Sequence, residues 1–487
     1  MSSQVDFDML AARAAHLLAT GQYEAAITGY RQLLAHQPVR ATDWFNLAYA
    51  QRCIRQFDAA LSSYAQALHH GVRRPEEAYV NRAAIMSEHL ERPGDAEVEL
   101  RKAIALEPHF AIALLNLGNL LEDRGDRDGA RDLYTRVLNT IENEPRALSR
   151  LAMLDVFAGS AAAVVDRLRP VLARGGLHPE DAAEIAFALG HALDAAERYD
   201  EAFDVFTAAN QLSDSVRPPV LRYDREARER QVDDLIAAFP LPAETVAGQD
   251  KRQTPLFICG MFRSGSTLAE QVLAGHPRIT PGGELDFLPA MVAYRLQPYP
   301  EMLRSAGADL LTDLRRSYLD ALGALHPEAD IVTDKRPDNF LHIGLIKTLF
   351  PEARIVHTVR QPLDNILSIY FLHFGPAIDH AGDLGDAAHW YAQYRRLMAH
   401  WQTLYPNDIL DLDYDALVAD PEPQVRRLLA FAGLDWDPAC LTPHLARNMV
   451  RTASVWQVRQ PLHQRSSGRA ANYARHLGPA KRELGLD

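Results

Sequence analysis

The sequence predicts an N-terminal α-solenoid followed by a P-loop-like α/β domain with a central parallel sheet. Three observations predict this fold: a helical pattern that recurs every 34 residues, a strand–loop–helix motif at residues 255–277, and strands that alternate with helices after that motif. We expect the helical array over residues 1–213, a proline-marked linker with one charged helix over 214–253, and the α/β domain over 254–487.

The helical array is visible as small and aromatic residues that return at a fixed interval. Tyr23 and Ala26 are followed 34 positions later by Phe57 and Ala60, and the same phase continues in about five or six units. The unit over Pro145 to Gly176 keeps helical periodicity but loses the signature. Such arrays present a concave surface to a peptide or partner protein, and a rigid spacer or oligomerisation arm is the alternative.

The stretch PLFICGMFRSGSTLAEQVLAGHP, residues 255–277, predicts a buried strand, a glycine- and serine-rich loop and a helix. Backbone N–H groups and a helix N-terminus converge in such a motif and favour an anion. Gly260 and Gly265 have the spacing of a nucleotide-binding loop, but Ser266 stands where that loop has its lysine. Arg263 supplies a planar, forked cation instead. The motif therefore predicts an anion site, with an ordinary strand–helix connection as the alternative.

Three further strands are each predicted to end in a polar side chain that can bind an anion. Lys335 follows Ile331 and Val332, Arg360 follows a strand at 355–359, and Tyr414 ends a strand in the stretch NDILDLDYDALVADP. Parallel strands between helices place their carboxyl ends at one edge, which is where such sheets bind ligands. We therefore expect these side chains to meet Arg263.

Composition excludes several classes of function. The chain is 47% hydrophobic and 24% charged, as in globular proteins, and its net charge of −13 argues against nucleic-acid binding. No apolar run is long enough for a membrane span and the acidic N-terminus is not typical of a signal peptide, so we expect a cytoplasmic protein. Cys53, Cys259 and Cys440 are too scattered for a disulfide framework or a zinc site.

Five blocks between Pro255 and about Tyr473 carry a family resemblance: PLFICGMFRSGSTL, GGELDF, TDKRPDN, VRQPLDNILSIYF and SVWQVRQPLHQRSSGR. Together they resemble the sulfotransferase superfamily, whose donor is 3′-phosphoadenosine 5′-phosphosulfate. They are most similar to the tyrosylprotein sulfotransferase branch, and closer still to bacterial chains that join tetratricopeptide repeats to such a domain. The helical array itself resembles the tetratricopeptide repeat, so a protein or peptide partner is expected there.

The resemblance implies a donor site without a metal. In that family the loop binds the 5′-phosphosulfate. This group has fewer charges than a triphosphate, so its binding needs neither lysine nor magnesium. Arg360 and Ser368, eight residues apart as in the family, would hold the 3′-phosphate. Carried over position by position, the implied donor contacts are Arg263, Ser264, Gly265, Ser266, Thr267, Arg360, Ser368, Tyr414 and Arg469.

The resemblance also implies the catalytic groups, which are Glu284, Lys335, Ser454 and Arg263. Sulfuryl transfer to a hydroxyl needs in-line attack, neutralised charge on the equatorial oxygens and removal of the acceptor proton. Glu284 stands at the place of the base, and Lys335 and Ser454 at the places that stabilise the transferring group. The structural alternatives are a helix N-cap or surface carboxylate for Glu284, and an ion pair with Asp334 or Asp338 for Lys335.

Two departures from the tyrosylprotein branch leave the acceptor open among protein tyrosine, glycan, lipid and small phenol. Leu372 stands where that branch has an arginine, and Leu285–Asp286 replace residues that seat the acidic acceptor peptide. Two other functions remain as alternatives. A P-loop kinase would need a lysine at Ser266 and a metal-binding carboxylate such as Asp334. A non-catalytic repeat scaffold would bind the nucleotide without turning it over.

Overall fold

The computed structural model describes residues 2–243, 255–375, 378–446, 448–452 and 454–486. Residues 244–253 of the predicted linker lie outside the described residues, and so does Thr254, where the α/β domain is predicted to start. Met1 and Asp487, the outer ends of the predicted segments, also lie outside them.

The chain packs as two compact units, which are Met1–Glu122 with Asp126–Ala147 and Asp123–Gly125 with Leu148–Asp487. The second unit therefore contains the last helices of the array together with the sheet. The predicted segment boundaries at residues 213 and 254 do not coincide with the boundaries of the two compact units, and they remain predictions.

Twelve helices lie in the described residues up to Ser215, and they follow one another as six pairs. They are α1 (Ser2–Ala19), α2 (Tyr23–His36), α3 (Ala41–Cys53), α4 (Phe57–His69), α5 (Pro75–Glu88), α6 (Pro93–Leu106), α7 (Ala111–Arg124), α8 (Arg127–Thr140), α9 (Pro145–Phe157), α10 (Ala161–Arg174), α11 (Pro179–Ala195) and α12 (Tyr199–Ser215). The predicted helical array is confirmed, and the stretch without the repeat signature forms the ordinary pair α9–α10.

The small residues of the repeat mark places where paired helices touch. A Cβ atom added to Gly118 in α7 would lie 2.5 Å from Cε1 of Tyr134 in α8, so the close approach of these helices requires glycine. The Tyr134 hydroxyl donates to Glu122 Oε2 at 2.6 Å, which satisfies the one polar atom of this buried ring.

The second unit is built on a five-stranded sheet in the order β2–β3–β1–β4–β5, with every neighbouring pair parallel. The strands are β1 (Leu256–Gly260), β2 (Ile279–Pro281), β3 (Ile331–Lys335), β4 (Ile355–Val359) and β5 (Ile409–Asp413). The predicted parallel sheet is confirmed. The short edge strand β2 was not predicted, and β5 ends one residue before Tyr414, which instead begins a helix.

Helices surround this sheet in the described residues from Arg225 onward. They are α13 (Arg225–Ala238), α14 (Ser266–Ala274), α15 (Phe287–Arg295), α16 (Glu301–Arg304), α17 (Ala308–Leu325), α18 (Ile343–Leu349), α19 (Pro362–Tyr370), α20 (Leu384–Leu404), α21 (Tyr414–Ala419), α22 (Pro421–Ala432), α23 (Val455–Val458) and α24 (Gly478–Leu484). In the part of the chain that the structure describes, no helix is both long and apolar enough to cross a membrane.

The last helical pair, α11–α12, packs directly on the helix that follows β4. Phe206 of α12 stacks on Phe371, with ring centroids 3.9 Å apart. Asn210 of the same helix donates to the Tyr370 carbonyl oxygen at 2.9 Å, where α19 ends. The end of the repeat array is therefore part of the hydrophobic core around the sheet.

Candidate active site

The loop between β1 and α14 has a backbone that requires glycine at two positions. Gly260 has a φ of +149° and Gly265 a φ of +102°. A Cβ atom at Gly260 would lie 2.4 Å from the Thr358 carbonyl oxygen, and one at Gly265 would lie 2.7 Å from Cδ2 of Tyr414. Arg263 itself has a φ of +69°, which only the surrounding contacts can stabilise in a residue with a Cβ atom.

Serine and threonine side chains of the loop have two different orientations. The Ser264 hydroxyl is buried and bonds to the Thr358 hydroxyl at 2.6 Å, so it ties the loop to β4. Ser266 and Thr267 begin α14 and face a cavity, where the positive end of the helix dipole also points. The Thr267 hydroxyl donates to Thr452 at 3.3 Å.

The Arg263 guanidinium joins three separate parts of the site. It donates to Ser368 Oγ on α19 at 3.1 Å, to Ser454 Oγ at 2.5 Å and to Gln457 Oε1 on α23 at 2.9 Å. Burial, and then the neighbouring Arg360, lower the pKa of Arg263 to about 10. The group therefore stays charged at neutral pH in a cluster of like charges.

Arg360 lies immediately after β4 and is only 8% exposed. It donates to the Arg263 carbonyl oxygen at 3.1 Å and to the Ser466 carbonyl oxygen, and its guanidinium stands 5.0 Å above the ring centre of Tyr414. Its Nε is buried and has no hydrogen-bond partner among the described residues. Burial lowers the pKa of Arg360. An unsatisfied, desolvated donor of this kind favours an anion as its partner.

The site contains an ion pair between Glu284 and Lys335. Lys335 Nζ at the end of β3 donates to Glu284 Oε1 at 2.6 Å, and the lysine side chain is 1% exposed whereas that of Glu284 is 39% exposed. The partner of Lys335 is thus Glu284, whereas Asp338 pairs with Arg336. Asp286, rather than Glu284, is the N-cap residue of α15.

Glu270, which the sequence analysis missed, holds the turn that carries Glu284. This buried carboxylate on α14 accepts from Thr333 Oγ1 at 2.7 Å and from the Gly283 amide at 3.0 Å, and burial raises its pKa. The Lys335 amide in turn donates to the Gly283 carbonyl oxygen at 2.8 Å. The sequence contained one indication of this role: Glu270 lies within the apolar pattern of a helix, where a buried charge needs hydrogen-bond partners.

Asp334, next to Lys335 on β3, faces away from Glu284. It is 1% exposed and accepts from the Tyr318 hydroxyl at 2.8 Å and from Asn339 Nδ2 at 3.0 Å. Burial raises its pKa to about 7. Its hydrogen-bond partners come from α17 and from the turn after β3, so Asp334 supports the sheet.

A single cavity of about 380 Å³ brings most of the predicted residues together. The predicted residues in its lining are Arg263, Gly265, Ser266, Thr267, Glu284, Arg360, Ser368, Tyr414, Ser454 and Arg469. Ser264 and Lys335 are not in the lining and lie directly behind it through their bonds to Thr358 and Glu284. Gln457 and Thr452 also line the cavity, and the sequence analysis did not identify them. Guanidinium groups, hydroxyls and a helix N-terminus around one cavity suit an anionic ligand with several oxygens.

The chain is similar to two known protein families. Residues 255–438 match the model of the sulfotransferase family, and residues 12–77 and 113–148 match models of the tetratricopeptide repeat. Among solved structures, the sulfotransferase domain of the Synechococcus PCC 7002 olefin synthase is similar, at 21% identity and a TM-score of 0.35, over 50% of this chain and 92% of that domain.

Curated relatives match this chain over different lengths. An uncharacterised protein of Aquifex aeolicus is 29% identical over 83% of this chain. Protein-tyrosine sulfotransferase A of Caenorhabditis elegans is 25% identical over 40% of this chain, and protein-tyrosine sulfotransferase 1 of Danio rerio is 26% identical over 38%. The chain spans about half the length of these relatives, namely 54%, 53% and 55%.

Because burial raises the pKa of Asp334, we expect the free energy of unfolding to depend on pH. The pKa of Asp334 is about 7 in the folded chain and about 3.9 in an unfolded one, so its proton stabilises the fold at low pH. That contribution is lost as the pH rises from about 4 to about 7. Asp334→Asn should therefore gain unfolding free energy relative to the unchanged chain over this range, by at most about 1.4 kcal/mol per pH unit. Urea denaturation at a series of pH values measures this difference.

Val332→Ala is the matched control, because Val332 is a buried neighbour on β3 whose side chain does not titrate. Its loss of unfolding free energy should be the same at each pH. A constant difference for Asp334→Asn as well would contradict the raised pKa of Asp334.

Proposed function

Since this chain joins tetratricopeptide repeats to a sulfotransferase-family domain, we propose that it is a sulfotransferase with 3′-phosphoadenosine 5′-phosphosulfate as donor and a hydroxyl as acceptor. The observation that carries the proposal is the cavity, where an anion-binding loop, the unsatisfied Nε of Arg360 and the Lys335–Glu284 pair meet. We also assign the protein to a reducing compartment, the cytoplasm, because its three cysteines are unpaired.

The donor fits this cavity through its charge distribution. The loop from Arg263 to Thr267 and the N-terminus of α14 would hold the 5′-phosphosulfate, which needs no lysine at Ser266. Arg360 and Ser368 would hold the 3′-phosphate, since one has a free buried donor and the other a hydroxyl in the lining. Tyr414 and Arg469 would complete the donor site, since both line the same cavity. No metal ion is part of the proposal.

The transfer step requires a base and a cationic environment. The acceptor oxygen bonds to sulfur, the bond from sulfur to the 5′-phosphate oxygen breaks, and adenosine 3′,5′-bisphosphate leaves. Glu284 is the exposed member of its ion pair and would take the acceptor proton. Lys335, Arg263 and Ser454 would stabilise the charge on the transferring group, which is the largest contribution in reactions of this kind.

Protein tyrosine is the acceptor that we propose first, because two of the similar proteins are named protein-tyrosine sulfotransferases. The repeats would then bind the acceptor protein or a partner that delivers it. Asp286, which departs from the family pattern, forms an ion pair with Arg336 at 2.7 Å beside the base.

The kinase alternative is not favoured. Ser266 cannot supply the ammonium group that a triphosphate requires, and Asp334 is bound by Tyr318 and Asn339 rather than facing the cavity.

Calorimetric titration of the full chain tests the donor class. We expect adenosine 3′,5′-bisphosphate to bind at least about tenfold more tightly than ATP with magnesium, because only the bisphosphate places a phosphate at Arg360. Transfer is then measured as sulfate gained by a tyrosine-containing peptide in the presence of the donor. Tighter binding of magnesium–ATP would contradict the proposal and favour the kinase.

Arg360→Ala should weaken binding of adenosine 3′,5′-bisphosphate by roughly 2–5 kcal/mol, since it leaves a charged phosphate without its partner. Binding of adenosine 5′-phosphosulfate, which lacks the 3′-phosphate, should change little. Arg354→Ala is the control, because Arg354 precedes the same strand and its Nη1 donates to the Phe431 carbonyl oxygen at 2.6 Å. An equal loss for both ligands would show that Arg360 does not bind the 3′-phosphate.

Glu284→Gln keeps the size of the side chain and removes its basic charge. If Glu284 takes the acceptor proton, turnover should fall by about 10²–10⁴-fold while bisphosphate affinity is retained. The loss should be smaller with a nitrophenol acceptor, whose proton leaves more readily. Asp286→Asn, two residues along, should retain most of the turnover with nitrophenol. Near-normal turnover of Glu284→Gln on tyrosine would exclude the base role.

A further inference from the structure

Arg469 enters the donor cavity from the C-terminal segment, and a residue of the repeat array holds its side chain. Asp194 lies near the end of α11, the first helix of the last helical pair. Its carboxylate accepts from Arg469 Nη2 at 2.8 Å and from Arg469 Nε at 3.3 Å, so the two groups form a forked pair. On its other side, the Arg469 guanidinium stands 5.0 Å from the ring centre of Phe371.

The backbone at Arg469 is fixed independently of this pair. The two carboxylate oxygens of Asp364 on α19 accept from the Gly468 and Ala470 amides, each at 2.6 Å. Asp194 also accepts from the Tyr473 hydroxyl at 2.5 Å, four residues further along this segment. Its forked pair with Arg469 determines the direction of the Arg469 side chain.

The Arg469 side chain needs a partner because the other guanidinium groups at the cavity repel it. Arg469 adds its guanidinium to those of Arg263, Arg360 and Arg451 at the same cavity. Burial is the main cause of the lowered pKa of Arg263 and of Arg360, and the charge of Arg469 lowers both further. Without a bound anion, like charges at short range drive a long side chain towards solvent. The arginine side chain also has many rotamers, which a forked partner restricts.

We infer that Asp194 is a positioning residue of the donor cavity: it keeps Arg469 turned towards the bound anion. The last helical pair of the repeat array thereby becomes part of the donor site. This inference rests on the proposed function for the identity of the donor. The positioning of Arg469 by Asp194, however, should affect the binding of any oxyanion in the cavity.

The test is a double-mutant cycle in the full chain, with binding of adenosine 3′,5′-bisphosphate and of inorganic pyrophosphate measured by calorimetry. Asp194→Ala should weaken bisphosphate binding about tenfold, since one charge-assisted contact is lost. In the Arg469→Ala background the same substitution should change affinity less than about twofold. Removal of a negative charge by itself strengthens anion binding, so a weaker affinity reports lost positioning.

Asp200→Ala is the matched control, because Asp200 belongs to the same helical pair and pairs with Arg475 and His476 outside the cavity. The affinity of Asp200→Ala for adenosine 3′,5′-bisphosphate should stay within about twofold of that of the unchanged chain. Arg469→Lys serves if Asp194→Ala does not fold, because it keeps the charge but loses the fork. This variant should also bind about tenfold more weakly, and an unchanged affinity would overturn the inference.

The outcomes separate this inference from the proposed function. Bisphosphate binding that does not respond to Asp194→Ala, or that responds equally in the Arg469→Ala background, overturns the role of Asp194 and leaves the sulfotransferase proposal intact. Pyrophosphate binding that depends on Asp194, without preference for the bisphosphate over ATP, supports the positioning role and contradicts the donor. Binding of neither anion overturns both.

Discussion

Arg263 connects the parts of the site because its backbone and its guanidinium are constrained at the same time. The residue has a left-handed backbone, which aims its side chain across the carboxyl edge of the sheet. There it donates to Ser368, Ser454 and Gln457, while its carbonyl oxygen accepts from Arg360. The loop, α19, the end of β4 and the C-terminal segment are therefore linked through the side chain and the carbonyl oxygen of one residue. The shape of the cavity depends on this network more than on any single element.

The same network concentrates positive charge, and the surrounding structure has to compensate for it. Arg360 lies over the π face of Tyr414, and Asp194 pairs with Arg469, so each of these two guanidinium groups has an electron-rich neighbour. Burial is the main cause of the lowered pKa of Arg263 and of Arg360, and repulsion from the neighbouring guanidinium groups lowers both further, so the compensation is incomplete. An incoming anion would complete it, which is a reason for such a cavity to bind phosphate and sulfate groups tightly.

The Lys335–Glu284 pair has a separate support. Glu270 on α14 bonds to Thr333 and to the turn before Glu284, so the helix that begins at the loop also fixes the turn of the proposed base. The proposed donor loop and the proposed base are therefore linked through α14. In-line transfer needs this kind of geometry, because a misplacement of about 1 Å costs a large part of the rate.

The sequence by itself determined the helical array, the parallel sheet and the edge at which the cations gather. Those features follow from local periodicity and from the rule that parallel strands end together, so Arg263, Lys335, Arg360 and Tyr414 could be placed near one another in advance. Only the tertiary structure determined which side chains pair with one another. Lys335 bonds to Glu284 across 51 residues and Asp194 to Arg469 across 275, and neither pair leaves a periodic trace in the chain. Side-chain pairing depends on how separate elements pack, which is a property of the folded core rather than of any segment.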